Sequence, residues 1–382
     1  MTMNNTNNDT KDVFSGSYLP SDVQFLLTRL NKTDVENVDP TQKETLIQSG
    51  QRHYSQMLTL ETPVSKAHHA IYQETLARYL LRTAGGIHRL ASTLFDTFKN
   101  KGETLVLVSL VRAGVPIGVL LKRAFDDPNA HYHRPAVHYG ISIIRDKGID
   151  HLALEHITQS HPNCPIVFVD GWTGKGAIFR ELKRSLQRFC QARPHTYAQI
   201  FHQSHYTVPL VVLADPAHVA WLSDSEEDWL IPSSILNSTI SGLVSRTLYA
   251  DGAFHGCVYY DEFADIDESL NFVNQVDASR KTLHYPYILP KKYLPKTLEF
   301  CPFDFVMDFK FDITDSNLIK PSIAEATRAI MRRMPKCVLI NKDSKDNQDT
   351  KLLRHLCEQR NIPITYDNIQ PYQAVTIIQK RR

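Results

Sequence analysis

The sequence predicts an α/β protein with a doubly wound parallel sheet, followed by a small C-terminal α/β domain. Short apolar runs, typical of strands that are buried on both faces, alternate with stretches of helical periodicity. Polar or glycine-containing loops separate each run from the next helix, an order typical of parallel sheets covered by helices on both sides. The 382 residues, of which 42% are hydrophobic, allow a packed core and more than one domain.

After a disordered start, the first 100 residues predict helices at two places. Residues 1–12 are rich in Asn and Thr and predict a disordered tail. Asp22, or the serine before it, can cap a short helix over the apolar residues that follow. The apolar spacing over residues 67–100 predicts two helices, separated at Gly85 and Gly86.

Four buried strands are predicted in the middle of the chain. They cover residues 104–108, 137–144, 166–169 and 208–213. Helical patterns lie between them, over residues 117–125, 150–157 and 174–189. Ligands of such sheets bind at the carboxyl ends of the strands, so the loops after these strands are the first place to look for a site.

The last third of the chain predicts a linker and a small binding module. Residues 285–296 are rich in proline and lysine and predict the linker. A helix over 322–334 precedes a strand, a helix and a second strand within residues 337–366, which form a βαβ unit. The predicted domains are therefore a first unit over 13–296 and a C-terminal unit over 297–382.

Charge and composition restrict the compartment and the partners. The net charge is +2, but residues 332–382 hold 11 Lys/Arg against 5 Asp/Glu, a local balance of +6. This segment favours a polyanion partner, and an ordinary solvated helix face explains the charge equally well. The polar N-terminus has no signal-peptide pattern, no apolar run is long enough for a membrane span, and the six cysteines form no Cys-x-x-Cys pair. We therefore expect a cytoplasmic protein with no membrane partner.

The strongest motif is IVFVDGWTGKGAI, residues 166–178, where a buried strand ends in Asp170 and a glycine-rich turn opens into a helix. Backbone N–H groups and the helix dipole at such a turn favour an anion, and Asp170 can bond ribose hydroxyls. The phosphate-binding residues predicted here are Gly171, Thr173, Gly174, Lys175 and Gly176. The alternative is a plain strand–helix turn with capping glycines.

Two further loops follow strands and suit phosphate. SLVRAGVPIG, residues 109–118, places Arg112, Ala113 and Gly114 before a helix, and an arginine there can pair with a diphosphate. GISIIRDKGID, residues 140–150, offers Arg145, Asp146 and Lys147 for a second phosphate or a magnesium ion. Each loop is a weak signal alone, whereas three such loops on one sheet favour a common anion site.

At these motifs the chain resembles a known family. The order of the loops is similar to that of the type I phosphoribosyltransferases, with residues 109–118 as the pyrophosphate loop and 166–178 as the signature loop. The chain also resembles a bacterial group found with tellurite- and stress-resistance operons, often labelled cysteine protease StiP. Members of that group join a phosphoribosyltransferase-like domain to a pelota-like RNA-binding domain. FSGSYLPSDVQFLL in the first unit and VLINKDSKD, IPITYD and PYQAVTIIQ in the second carry this resemblance.

The resemblance implies a sheet of phosphoribosyltransferase type and an enzyme that transfers ribose-5-phosphate from phosphoribosyl pyrophosphate to an unknown small-molecule acceptor. It implies Mg²⁺ as the ion that accompanies this substrate. Arg112, Arg145 and Lys147 would stabilise the leaving pyrophosphate, and Asp170 would steady the positive charge on the ribose. Arg246 is among the candidates for contact with the acceptor, although it also suits a solvated loop.

Two other function classes stay open. A cysteine protease needs a thiol beside a histidine base, and Cys257, with His255 and Asp261 near it in sequence, is the candidate. A non-catalytic protein would sense a nucleotide with the phosphate loops and contact RNA through Lys342, Lys345 and Lys351 of the C-terminal unit.

Overall fold

A computed structural model describes residues 14–201, 208–283 and 316–380. The predicted tail over 1–12, the predicted linker over 285–296 and the predicted domain boundary after residue 296 lie outside these described residues and stay predictions. Within the described residues, no helix combines the length and the apolar character that crossing a lipid bilayer requires.

The secondary structure alternates between strands and helices through most of the chain. The strands are β1 (Gln24–Phe25), β2 (Thr28–Leu30), β3 (Leu105–Val111), β4 (Ala136–Ile144), β5 (Gly148–Ile149), β6 (Ile166–Val169), β7 (Leu210–Ala214), β8 (Leu222–Ser225), β9 (Gly256–Val258), β10 (Ile319–Pro321), β11 (Pro335–Asn341), β12 (Ile364–Asp367) and β13 (Ala374–Ile378). The α-helices are α1 (Pro40–Gln48), α2 (Lys66–Phe98), α3 (Val115–Asp126), α4 (His151–Ser160), α5 (Ala177–Ala192), α6 (Tyr197–Phe201), α7 (Ser269–Lys281), α8 (Ile323–Arg332) and α9 (Lys351–Gln359). Short 3₁₀ turns join several of them.

The main sheet of the described residues has seven strands in the order β1-β4-β3-β6-β7-β8, with β5 beside β4. All neighbours along this path are parallel, and β5 alone runs antiparallel to β4. The predicted α/β class with a mostly parallel sheet is confirmed. β2 and β9 form a separate two-stranded sheet.

The central strand β3 shows why the sheet is covered on both sides. Leu105 and Leu107 pack into one core with helices α2, α3 and α7, whereas Val106 and Val108 pack into a second core with α4 and α5. Successive side chains of a strand point to opposite faces, so a continuous apolar run supplies both cores at once. The apolar runs therefore predicted doubly covered strands correctly.

The C-terminal unit has its own four-stranded sheet in the order β10-β13-β11-β12. β11 and β12 are parallel and joined through α9, which confirms the predicted βαβ unit. Two further strands were not predicted from the sequence: β13 pairs antiparallel with β11, and β10 pairs antiparallel with β13. Helix α8 buries Ile323 and Ile330 against this sheet and the main core.

Two predictions in the first 100 residues are wrong. The segment after Asp22 forms β1 and β2 instead of a short helix, and the Asp22 carboxylate pairs with Arg123 at 2.7 Å. Gly85 and Gly86 do not separate two helices, because α2 runs through them without a break. Both glycines are buried, and a Cβ at Gly86 would lie 2.9 Å from the Asp224 carboxylate. Gly86 therefore lets the helix approach the sheet closely.

Replacing Gly86 by alanine is expected to destabilise the protein by about 1–3 kcal/mol, because the new methyl group meets the packed Leu213 and Asp224 side chains. Urea unfolding followed by circular dichroism measures this change.

Gly85→Ala is the matched control in the same helix. Its Cβ would meet the flexible end of Arg89 at 3.1 Å, so the substitution should be neutral or stabilise by up to about 1 kcal/mol through helix propensity. Equal effects of the two substitutions would contradict the packing role of Gly86.

Candidate anion-binding site between the two α/β units

The loop between β6 and α5 is held rigidly at the carboxyl end of the main sheet. Gly176 adopts a φ of +70° immediately before α5, a conformation that favours glycine. The Thr173 hydroxyl donates to the Asp215 carboxylate at 2.5 Å, and the Thr173 amide donates to the Ala214 carbonyl at 3.0 Å. The strand, loop and helix order predicted for residues 166–178 is therefore present.

The same loop is covered by the C-terminal unit. The Tyr372 hydroxyl donates to the Gly174 carbonyl at 3.0 Å, and the Lys175 amine donates to the Ile319 carbonyl at 3.3 Å. A Cβ at Gly174 would lie 3.0 Å from the Pro321 carbonyl oxygen. The glycines of this loop thus allow close docking of a second unit, in addition to any approach of a ligand.

The loop after β3 meets the β6 loop from the side. A Cβ on Gly114 would lie 2.1 Å from the Val169 carbonyl oxygen, and one on Gly171 would lie 3.1 Å from the Ala113 carbonyl oxygen. Arg112 is buried and pairs with Glu61 at 2.6 Å. The structure therefore brings the first two predicted phosphate loops together, and Glu61 joins them from outside the sheet.

The loop after β4 contributes Arg145 but not Lys147. The Arg145 amide donates to the Tyr54 hydroxyl at 2.6 Å, and its guanidinium donates to the Asn317 side-chain oxygen at 2.8 Å. The Lys147 amine lies over the Tyr249 ring, 4.9 Å from its centre. Arg145 lines the space between the units, whereas Lys147 is not among the described residues that line it.

Two adjoining cavities, here called the cleft, separate the first unit from the C-terminal unit. Their volumes are about 1060 Å³ and about 230 Å³. The polar side chains common to both are Tyr54, Arg145, Arg246, Lys320, Glu325, Arg328 and Arg332. Among the described residues that line the larger cavity, ten are Lys or Arg and four are Asp or Glu. The cleft is therefore strongly cationic.

Several of these cations were not predicted as site residues. Arg328 and Arg332 lie one turn apart on α8, so they share one face of the helix, and Lys320 lies on β10. Their spacing was visible in the sequence, but only the docking of α8 directs both arginines at the loops of the main sheet. Arg246, a candidate for contact with an acceptor, lines the cleft as well.

Burial and mutual repulsion control the ionisation of the cleft. Burial, with Arg112 nearby, lowers the pKa of Arg328 to about 10, and burial also lowers the pKa of Arg332. Burial raises the pKa of Asp170 to about 7, although the Gly171 amide donates to its carboxylate at 2.8 Å. Asp170 can therefore gain or lose a proton near neutral pH.

Three guanidinium nitrogens of this region are buried without a hydrogen-bond partner in the described structure. They are Nη2 of Arg112, Nε of Arg145 and Nε of Arg328. A buried charged donor without an acceptor is destabilising. The arrangement can be satisfied by a multiply charged anion, because arginine forks match phosphate oxygens.

The predicted magnesium ion has no preformed ligand set here. The described residues contain no cluster of three or more His, Cys, Asp or Glu side chains that could hold a metal. Magnesium bound with phosphates needs few protein carboxylates, so the prediction of Mg²⁺ stays a prediction.

The residues proposed for a thiol protease do not come together. Cys257 is fully buried on β9, and burial raises the pKa of its thiol to about 12. His255 bonds to the Ser142 hydroxyl at 2.7 Å, and Asp261 pairs with Lys32 at the surface. Among the described cysteines, Cys190 has a hydrogen bond at its thiol, to the Thr196 hydroxyl at 3.6 Å.

Replacing Glu61 by glutamine is expected to destabilise the protein at neutral pH by about 3 kcal/mol. Burial alone would raise the pKa of Glu61, but Arg112 and Arg332 lower it from 4.5 to about 2. This stabilisation is complete above the unfolded-state pKa of 4.5 and is lost as the pH falls towards 2. Urea unfolding at neutral pH and at a pH between these two values measures the difference.

Glu262→Gln serves as the control, because it removes a surface partner of Lys32 and should cost no more than about 1 kcal/mol. If Glu61→Gln kept the full pH dependence of the wild type in this range, the ion pair would not have the role assigned to it.

Comparisons with known proteins give two family matches and one close relative. Residues 16–277 match the family described as tellurite-like stress resistance cysteine protease StiP. Residues 305–380 match the pelota RNA-binding domain. The chain is 44% identical to the protein named cysteine protease StiP of Acinetobacter baylyi, over 97% of this chain and 95% of that protein. No solved structure matches the chain.

These matches correct the main functional prediction. The family and the relative are both named as a cysteine protease, a hydrolase, so the prediction of a phosphoribosyltransferase enzyme is wrong. Gly174 and Lys175 are engaged by the C-terminal unit, which gives a physical reason why a glycine-rich turn misled the prediction. The resemblance to the stress-resistance group with a pelota domain is confirmed. The chain belongs to the tellurite-like stress resistance cysteine protease StiP family.

Proposed function

We propose that this protein acts in stress resistance by binding a phosphorylated small molecule, of the size of a nucleotide, in the cleft between its two units. The observation that carries this proposal is the set of three buried guanidinium nitrogens, on Arg112, Arg145 and Arg328, that have no hydrogen-bond partner among the residues that the structure describes. The proposal concerns binding and includes no transfer of a phosphoribosyl group.

The size and the charge of the cleft support a nucleotide-sized anion. Ligand pockets commonly have volumes of about 300–1000 Å³, and the larger cavity has about 1060 Å³. The charge of the described lining is positive, and charge-assisted bonds from arginine to phosphate are about twice as strong as neutral ones. Aromatic and apolar residues such as Tyr54 and Ile178 also line the cavity and can contact a base.

The predicted site residues take different roles in this proposal. Arg112 and Arg145 hold the anion, and Asp170 bonds a ligand hydroxyl. Because the pKa of Asp170 lies near neutrality, its carboxyl group can either accept or donate in this bond. The loop residues Gly171, Thr173, Gly174, Lys175 and Gly176, with Ala113 and Gly114, shape the wall behind them. Lys147 has no role, since it stacks on Tyr249. Mg²⁺, where it takes part, arrives with the ligand phosphates.

RNA is the second partner proposed, through the C-terminal unit. The match to the pelota RNA-binding domain supports it. Lys345 and Lys342 lie beside β12, and the Lys345 amine lies over the exposed Tyr366 ring at 5.4 Å from its centre. An exposed aromatic ring beside lysines suits the stacking and phosphate contacts of single-stranded RNA.

Calorimetric titration with inorganic pyrophosphate, and then with a nucleoside triphosphate, tests the anion site. The wild type is expected to bind, and Arg328→Gln is expected to bind about 10- to 100-fold more weakly, because one charge-assisted contact is lost. Each titration is run with and without Mg²⁺.

Arg193→Gln is the matched control, since Arg193 lies at the C-terminal end of α5, pairs with Glu155 of α4 and does not line the cleft. It should bind as the wild type does. Absence of binding by the wild type would overturn the proposal. A short RNA titrated into the same variants tests the second partner, whose binding should weaken with salt and be independent of Arg328.

A cysteine peptidase is the second candidate function, and the names of the family and of the relative favour it. Such an enzyme needs an accessible thiolate beside a base. Cys257 does not meet this requirement in the described structure, and Cys301 lies outside the described residues.

Cys257→Ala is therefore expected to keep whatever peptide hydrolysis the wild type shows, and native Cys257 should resist iodoacetamide at neutral pH. Assays on an unfolded casein substrate and peptide mapping of the alkylated protein measure both properties. Cys190→Ala is the control for a buried thiol. Selective loss of hydrolysis in Cys257→Ala, with the unfolding curve unchanged, would identify Cys257 as the nucleophile and contradict our interpretation.

A further inference from the structure

Lys320 occupies a special position in the cleft. It lies in the middle of β10, where its backbone pairs with Thr376 of β13. Among the described lysines, it is the one that lines both cavities, and the residue is only 6% exposed. The sheet thus fixes the backbone of a lysine that lines both cavities.

The charged groups near the Lys320 amine lie on several elements of both units. Arg145 follows β4, Lys175 belongs to the glycine-rich loop and Arg333 follows α8, whereas the carboxylates near it include Glu325 on α8 and Glu44 on α1. Burial first, and then these three cations, lower the pKa of Lys320 well below its usual value. A deprotonated lysine has a free electron pair and attacks carbonyl carbon atoms.

We propose that the Lys320 amine forms an imine with a phosphorylated aldehyde or ketone bound in the cleft. The proposal rests on the anion site proposed above and adds to it the chemical class of the ligand. The cations that face Lys320 would bind the phosphate, so that the carbonyl group of the same small molecule meets the amine within the cavity.

The reaction is balanced without an oxidant or a further reactant. The nitrogen of Lys320 attacks the carbonyl carbon, and the C–N bond forms as the carbonyl oxygen takes up a proton. The resulting carbinolamine loses its oxygen as water and leaves a C=N double bond. Glu325, which faces the amine, can carry a proton between nitrogen and oxygen. Water added to the imine reverses the reaction.

Lys43 shows why the inference is specific to Lys320. Burial and nearby arginines also lower the pKa of Lys43, to about 6. However, its amine donates to the Met57 carbonyl at 3.1 Å. Lys43 lines only the larger of the two cavities, whereas the glycine-rich loop lines the smaller one. When the phosphate of the ligand is bound at that loop, the carbonyl group of the same ligand therefore meets Lys320. We assign Lys43 no contact with the anion.

The test uses the full chain and pyridoxal 5′-phosphate, a phosphorylated aldehyde. The protein is incubated with the probe and reduced with borohydride, which converts an imine into a stable secondary amine. The intact mass is expected to increase by one phosphopyridoxyl group, and peptide mapping is expected to find it on Lys320. Lys320→Arg, which keeps a long basic side chain but has no primary amine, should lose this label completely. Lys43→Arg should keep it, and excess pyrophosphate should prevent it in the wild type.

The outcomes separate the two proposals. If Lys320→Arg still binds pyrophosphate in the calorimeter but loses the label, both proposals are supported. If the wild type binds pyrophosphate but is labelled at Lys43 or only at surface lysines, the imine proposal is overturned and the anion site stands. If the wild type binds no pyrophosphate and the label is not prevented by it, both proposals fail.

Discussion

The repulsion among buried arginines in the cleft is the constraint around which this structure is organised. Besides burial, Arg112 lowers the pKa of Arg328, and Arg328 and Arg112 lower that of Arg332, while Glu61 opposes both shifts and pairs with Arg112. Like charges repel strongly where water is excluded. Backbone carbonyls of Val244 and Leu236 accept from Arg112 and Arg328 and relieve part of the repulsion. The guanidinium nitrogens that keep no partner among the described residues, on Arg112, Arg145 and Arg328, are best satisfied by an anion.

Docking of the C-terminal unit is what creates this cluster. The buried Asp228 carboxylate accepts hydrogen bonds from the Ile323 amide, at the start of α8, and from the Gln373 amide at 2.8 Å. At the other end of the same helix, Arg333 forms a bidentate ion pair with the buried Glu44, at 2.6 and 2.8 Å. With both ends held, α8 cannot turn its arginines away from the loops of the main sheet. The chemistry of the cleft therefore belongs to neither unit alone.

The name of the family points to a cysteine, whereas the geometry of the structure points to the cleft between the two units. A thiol nucleophile is expected from the family name, yet the described cysteines are dispersed, and Cys257 is packed into the core. The charged groups with perturbed ionisation gather instead in the cleft, and perturbed groups that share a cavity are typical of functional sites. Residues from both matched regions, 16–277 and 305–380, line that cleft. The relative matches 97% of this chain and therefore contains both regions.

The sequence by itself determined the layers of the fold and the positions of the strand-end loops. Apolar runs such as 105–108 and 166–169 specify strands buried on both faces, because alternate side chains must enter two cores. Only the tertiary structure decided which cations meet. Arg112 and Arg328 are 216 positions apart, and no local pattern relates them. The two glycines of α2 were misread for the same reason: a glycine that admits a neighbouring element and a glycine that breaks a helix look alike until the neighbour is in place.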